Sequence, residues 1–429
     1  MPGALAIWCL DMSGSKPNRV GVVVLGSGHH GGLAIARSLG RLGVPVYAVD
    51  TDWWETAFTS RYCRGRFFLN PSSDPTGESL HRLLEIGRKL GGRPLLIPMT
   101  DQNALWVAEH AEALAEEFRF TRLDPSLVRT LCDKSQMQKL AERCGVPVAH
   151  SLLPHCRESL ERFASASSFP LMVKATDPDR LRQRTGGTKF LVHKWSELVD
   201  LYEKAWDGQC ANFLVQEFIP GEDWMFDGYF DDQSRCVFGI TGKKIRRFPA
   251  KTGVTSLGVC LRNDAVQNLT REFMSAIGYH GILDIGYRRD CRDGQYKVMD
   301  VNPRIGSSFR LFAAQCGMDV ARVLYLHLTG CPIPPYQSIE GRKWITEDFD
   351  LFSSIRSARD GSLSLKEWSS SFNGVQELAC FALDDPLPFF MMALADGCEL
   401  SKWLRRRGTA RNYPVLVDQP ALIATTRRH

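Results

Sequence analysis

No run of apolar residues in this chain is long enough to cross a bilayer, which excludes a membrane-spanning protein. No C-x-x-C pair occurs among its 13 cysteines, which are scattered and odd in number. That argues against a disulfide framework or a zinc knuckle and for the reduced thiols of a cytoplasmic protein. A long basic stripe is also missing: the formal charge is only +5, with 53 basic and 48 acidic residues interspersed. The short clusters Arg405-Arg406-Arg407 and Arg427-Arg428 read as solvated surface, so nucleic acid is not an expected partner. There is no internal repeat and no low-complexity linker. Met1 to Leu10 is apolar but lacks a basic n-region, so residues 1–19 read as an extension and not as a signal peptide.

What is present is enough hydrophobic sequence, 44% of 429 residues, for two or three domains. Val20 to Leu25 is a β-branched run that ends in Gly26-Ser-Gly28-His-His-Gly31-Gly32. Leu33 to Leu42 follow with helical spacing, and Val44 to Asp50 form the next strand, closed by an acid. Strand, glycine-rich turn, helix and strand make a βαβ unit of the dinucleotide-fold type. A nicotinamide site at Gly26-x-Gly28-x-x-Gly31 with Asp50 is a weak reading, because the same turn serves simply to bring a helix close to a sheet. A second pass gives a helix at Leu80–Leu90 and a strand at Pro94–Pro98, with Thr100 and Asp101 at its carboxyl end as helix-cap or substrate-contact residues. Asp133 opens a helix in which Met137, Leu140, Ala141 and Cys144 recur at i, i+3, i+4 and i+7, and Gly145 ends it.

From Leu171 to Arg310 the pattern reads as strands with loops, and the chemistry-bearing residues are concentrated there. Tyr296-Lys-Val-Met-Asp300-Val-Asn302-Pro-Arg304 alternates apolar and polar residues, so Asp300 and Asn302 share one strand face about 7 Å apart. A carboxylate, an amide oxygen and a guanidinium within five residues suit magnesium and a phosphate or carboxylate. Upstream lie Pro170 to Lys174, a short buried strand ending in a lysine, and Thr185-Gly186-Gly187-Thr188, a glycine loop. Leu214 to Asp223 runs from a strand into a turn flanked by acids, and Gly281 to Arg304 reads as a hairpin carrying Asp284. Each piece alone has a plain alternative: a solvated lysine for Lys174, a cross-strand pair for Glu217. Lys243, Lys244, Arg246 and Arg247 are either anion ligands or a solvated edge strand. His29 and His30 read as turn residues.

In that order, these pieces resemble the ATP-grasp superfamily, and most closely its carboxylate–amine ligase branch, over roughly Val20 to Gly330. The resemblance implies a Rossmann-like α/β domain at 20–130 and an ATP-grasp domain at 131–332. An α+β region at 333–429 would be appended, to complete either a substrate pocket or a homodimer interface. It implies ATP and Mg2+ as cofactors. Lys134 and Lys174 would contact phosphates, with Gly186 and Gly187 covering them. Gln216, Glu217 and Ile219 would form the hinge against adenine, and Glu222 or Asp223 would take the ribose. Asp300, Asn302 and Asp284 would hold metal, and Arg304 would steady the γ-phosphate and the acyl phosphate made from it. The chain departs from the family at Gly286, where an acid is usual, so Asp284, two positions earlier on the same face, is expected to supply the second acidic contact. Lys251 to Ser256 is a second candidate cover. The implied activity joins a small-molecule carboxylate to an amine, such as an amino acid or a small peptide-like substrate; the alternatives are another ATP-grasp chemistry, a carboxylase or phosphotransferase, or a nucleotide-binding protein without turnover.

Overall fold

A computed structural model describes residues 19–407 apart from 72–73, 75–76, 209–210 and 250–252. The expected extension at 1–19 and the cluster at Arg427-Arg428 therefore lie almost wholly outside the described residues. The fold is built on three sheets. The first is parallel, in the order β3-β2-β1-β4: β1 (Val22–Leu25), β2 (Val46–Asp50), β3 (Cys63–Phe68) and β4 (Leu95–Pro98). Burial on both faces explains the unbroken apolar reading of β1. The glycine-rich turn leads into the helix His29–Gly40, so the two histidines start a helix and do not sit in the turn. A side chain on Gly32 would collide with the Ser27 carbonyl, and one on Gly31 would meet Met99 at 2.7 Å and the Ser307 backbone at 3.2 Å. These glycines serve close packing, and Asp50 closes the turn by accepting the Gly28 N–H at 2.6 Å.

The second sheet is antiparallel, in the order β5-β8-β6-β7, from β5 (Ser151–Leu152), β6 (Leu171–Ala175), β7 (Lys189–Val192) and β8 (Phe213–Glu217). Helices Pro178–Thr185, Trp195–Ala205 and Asp264–Ala276 interrupt the region that alternation presents as strands and loops. The second of them buries Leu198, Leu201, Tyr202 and Ala205 at i, i+3, i+4 and i+7.

The third sheet has seven strands in the order β13-β12-β9-β10-β11-β14-β15. They are β9 (Gly221–Phe230), β10 (Cys236–Phe248), β11 (Val254–Cys260), β12 (Gly281–Asp290), β13 (Tyr296–Asn302), β14 (Lys343–Ile345) and β15 (Val375–Leu378). The residues after 333 thus contribute two strands to this sheet. Strand β10 is interior in the order, but of its basic residues only Lys243 is paired on both sides, while Lys244, Arg246 and Arg247 pair with β11 alone. One face, with Phe226, Phe230, Leu283 and Ile285, packs on helices Lys134–Arg143 and Asp264–Ala276. The opposite face carries Met225, Tyr229, Ile240 and Ile282 into a core shared with β1, β4 and the helix His29–Gly40.

A clamp joins the C-terminal region to the first sheet. Arg37 reaches from the helix His29–Gly40 to Asp385 (3.0 Å) and to the carbonyls of Ala379, Cys380 and Asp385. The Asp385 carboxylate also accepts from Ser60 Oγ and the Arg61 N–H. Both partners of the pair are buried, 5% and 2% exposed. Removing one partner of such a pair strands the other charge. Asp385→Ala should cost about 3 kcal/mol in urea unfolding, the low end for a buried pair because Arg37 keeps its three carbonyls; a loss below about 1 kcal/mol would show that the clamp does not hold the two regions together.

Candidate functional site

Strand register turns the core-side face of the third sheet into ordered rows. Asp300 pairs with Gly286, and Gly286 with Met225 and, beyond it, Gly242. Two residues further along, Asn302 pairs with Asp284, Asp284 with Asp227, and Asp227 with Ile240. Two residues in the other direction, Arg288 pairs with Asp223. Directly opposed residues point to the same side of a sheet, so each row is a line of neighbouring side chains.

The expected metal residues converge. The Asn302 amide nitrogen lies 3.3 Å from Asp284 Oδ2 and 3.3 Å from Asp300 Oδ2. Gly286 has a positive use here, because a side chain on it would meet Asp300 Oδ1 at 2.7 Å: the glycine makes room for Asp300 to fold across the row. Gly306 is likewise packed so close to Asp284 that a side chain there would strike its carboxylate. The Asn302 amide oxygen accepts from Arg304 here, so an all-oxygen set of the kind magnesium takes, two carboxylates and an amide oxygen, requires the Asn302 amide to turn over.

The acids differ in charge state. Burial would raise the Asp300 carboxyl, but Lys244, Lys189 and Lys174 outweigh it and hold it below the ordinary range. Burial pushes Asp284 up to about 6 against the pull of Arg304. Asp227 is raised well above the usual value by burial and then by Asp284 and Asp319.

Arg304 is anchored on three sides: its Nε donates to Asp101 Oδ1 at 2.7 Å, Nη1 to the Ile305 carbonyl at 3.1 Å and Nη2 to Asn302 Oδ1 at 3.3 Å. Thr100 caps the helix Asp101–Glu109, accepting the Asn103 N–H, so of the two residues at the end of β4 only Asp101 faces the site chemistry. Lys134, the first residue of its helix, donates to the Ala175 carbonyl at 3.2 Å. Burial lowers its pKa although Asp300 and Asp101 raise it. Lys174 is lowered to about 7, by burial first and then by the ammonium of Lys189 opposite it.

The nucleotide residues fall in differing settings. Gln216 is 0% exposed with neither side-chain amide atom hydrogen-bonded, and Ile219 is buried beside it in the chain. Glu217 is ion-paired with Arg292 of the β12–β13 turn (3.1 Å) and Lys297 of β13 (3.4 Å), partners from a different sheet and not cross-strand neighbours of β8. Asp223 lies between Arg247 (3.2 Å) and Arg288 (3.8 Å), and Glu222 pairs with Lys243. Gly186, at φ +81°, is the left-handed cap of Pro178–Thr185, and Gly187 leads into β7. Of the second candidate cover, Lys251 and Thr252 lie outside the described residues, while Val254 to Ser256 begin β11. Among the basic residues of β10, Arg246 is spent on a bidentate pair with Asp350 (2.7 Å twice), whereas Lys244 acts on Asp300 and Asp284. Sequence reasoning passed over Asp227 and Lys189. The signals were there: Asp227 is four residues from Asp223 on the same strand face, and Lys189 directly follows the glycine turn.

The arrangement matches known folds. The Staphylococcus aureus N5-carboxyaminoimidazole synthetase complexed with ADP superposes with a TM-score of 0.59, at 14% identity, over 80% of this chain and 87% of that one. The L-amino acid ligase from Bacillus licheniformis superposes with a TM-score of 0.56, at 16% identity, over 76% of each chain. The chain has the ATP-grasp fold. No family model matches the chain. In sequence, the chain is 24% identical over 245 residues to the D-aspartate ligase of Enterococcus faecium, covering 53% of this chain and 57% of that protein. It spans little more than half the length of the curated relatives it matches first. A polyanion bound beside Lys174 would return its proton. At pH 8, above its value of about 7, Mg-ADP binding should take up about one proton, measured by calorimetry in buffers of different ionisation enthalpy. Lys174→Met should abolish the uptake, and a wild-type protein that takes up none would remove Lys174 from the phosphates.

Proposed function

We propose that this chain is a magnesium- and ATP-dependent ligase that activates a carboxylate as an acyl phosphate and joins it to an amine, releasing ADP and phosphate. The observation that carries the reading is the convergence of Asp284, Asp300 and Asn302 beside Arg304, with Lys134, Lys174 and Lys244 acting on Asp300 or Asp284 from other elements. Phosphoryl transfer requires positioning and charge neutralisation more than covalent help, and these are residues of that kind. Asp300, kept ionised, and Asn302 with Asp284 would hold the magnesium, which supplies Lewis-acid stabilisation when bound. Arg304, fixed by Asp101, would present its planar fork to the transferred phosphoryl group and to the acyl phosphate. Gln216, Ile219 and the backbone around Glu217 would receive the adenine, and Asp223 or Glu222 the ribose. Gly186 and Gly187 would lie over the phosphates.

The amine-ligase assignment draws on the D-aspartate ligase and L-amino acid ligase likenesses, and an amino acid or small peptide-like substrate is the corresponding expectation. A carboxylating ATP-grasp chemistry is the second reading, favoured by the likeness to N5-carboxyaminoimidazole synthetase. A cytoplasmic setting suits the thiols: apart from Cys398, the cysteines among the described residues are free. No helix among the described residues is long and apolar enough to cross a membrane.

The test is ADP and phosphate release from Mg-ATP with pools of amino acids, and separately with bicarbonate as the only carboxylate. Release that requires both an amino-acid carboxylate and an amine supports the ligase, whereas release with bicarbonate alone supports the carboxylase. Asp300→Ala should lower the rate at least about a hundredfold without moving the thermal midpoint, and Arg304→Lys should do comparable damage because an ammonium lacks the bidentate fork. An unimpaired Asp300→Ala enzyme would sink the site assignment.

A further inference from the structure

One side chain on the reaction face has no role in phosphoryl transfer. Asp227, in the middle of β9, is 1% exposed, and neither of its carboxylate oxygens has a hydrogen-bond partner. Native proteins seldom leave a buried carboxyl unpartnered, because desolvation without a compensating bond costs several kcal/mol. Directly across the strand from it is Asp284, and across from Asp284 is Asn302. Opposed Cα atoms in an antiparallel pair are about 4.5–5.5 Å apart, so the two carboxyls stand side by side. The charged groups that act on Asp227 are Asp284 and Asp319, both acids. Asp319 is already satisfied by Ser38, Arg310 and the Arg322 N–H. Asp227 itself therefore has no cation beside it, whereas Asp284 is drawn on by Arg304 and Lys244.

We propose that Asp227, together with the side of Asp284 turned toward it, forms the subsite for the primary ammonium group of the amine substrate. The proposal rests on the ligase reading and adds a substrate class to it: an acceptor that enters as a cation on a short aliphatic stem. Two features favour an ammonium over a second metal ion. Hard divalent cations collect many oxygen ligands. Along the same face, however, Asp227 is flanked by Met225 and Tyr229 on its own strand and by Ile240 beside it, members of an apolar core with Ile282, Ile305 and Phe309. An ammonium suits such a mixed wall, its N–H groups on the carboxyls and its methylenes on the apolar side chains. The location is also appropriate. The Asp227 row is one step, about 7 Å, beyond the Asp300 row, which is next to the place where the acyl phosphate forms and on the side away from the nucleotide lysines.

Two measurements on the full chain test this, using Asp227→Asn, which keeps the shape, removes the charge and should leave the thermal midpoint equal to or above that of the wild type. The first is steady-state kinetics with whichever amino-acid pair supports ADP release. The variant should raise the KM for the amine at least tenfold while the KM for Mg-ATP stays within twofold. An unchanged amine KM, or a parallel rise in both, overturns the subsite. The second needs no turnover: methylammonium chloride should raise the wild-type thermal midpoint by about 1–2 °C more than equal sodium chloride, and Asp227→Asn should lose that increment. Equal shifts in the two proteins overturn the subsite. The ligase reading fails by a different sign, a wild-type protein that releases no ADP with any donor and acceptor while its methylammonium shift persists.

Discussion

A slip of one residue in the pairing of β12 with β13 would turn Asp284 away from Asn302 and put Ile285 in its place, because side-chain direction in a strand has a period of two. The register Asp284–Asn302 on one side and Asp284–Asp227 on the other is therefore the constraint on which the rest of the site depends. It is held from the far side of the sheet. Leu283, Ile285, Tyr287, Val298 and Val301 are buried against the helices Lys134–Arg143 and Asp264–Ala276, so a slipped register would expose that core. A register shift between Gly286 and Tyr287 also falls beside Asp300, where the missing side chain of Gly286 lets the carboxylate lean over the strand.

Charge is sorted along this face. Lysines from three different elements, Lys134, Lys174 and Lys244, act on Asp300 or Asp284, whereas Asp227 is acted on by acids alone. A polyanion at the lysine end would relieve the repulsion among the lysines, and the proposed ammonium beside Asp227 would relieve the repulsion among the carboxyls. The low-dielectric surroundings that make the empty arrangement costly also strengthen each contact once the ligands arrive. Local destabilisation of this kind is common at functional sites and is tolerated because the surrounding cores are well packed.

The clamp between the helix His29–Gly40 and residues 379–385 gives the C-terminal region a mechanical purpose. Strands β14 and β15 extend the third sheet, and the loop that follows locks onto the first sheet through Arg37, Arg41 and Tyr62. Arg304 reaches across the same junction to Asp101. The guanidinium that would steady the transferred group is thus aimed by an acid from the first sheet, which ties its geometry to how firmly the clamp holds.

Much of the site was legible before any coordinates. Asp300, Asn302 and Arg304 lie within five residues, and a period of two is enough to put the first two on one face; Lys174, Gln216 and the Asp133-capped helix are likewise local patterns. The sequence by itself therefore determined the order of the chemistry-bearing segments, the apolar strands and which residues are candidates for metal and phosphate, because local patterns of a few positions carry them. Only the tertiary structure decided what crosses between strands. Lys189 stands against Lys174, Asp101 holds Arg304 from 203 positions away, Glu217 is taken up by a turn, and β10 is interior and not at an edge. The three- and four-residue strands after position 333 also needed it, since they are too short to show a period. Asp227 marks the division most clearly: its placement on the reaction face could be read from Asp223 by alternation, but its missing partner and its neighbour Asp284 are facts of pairing, set by which strands meet and in what register.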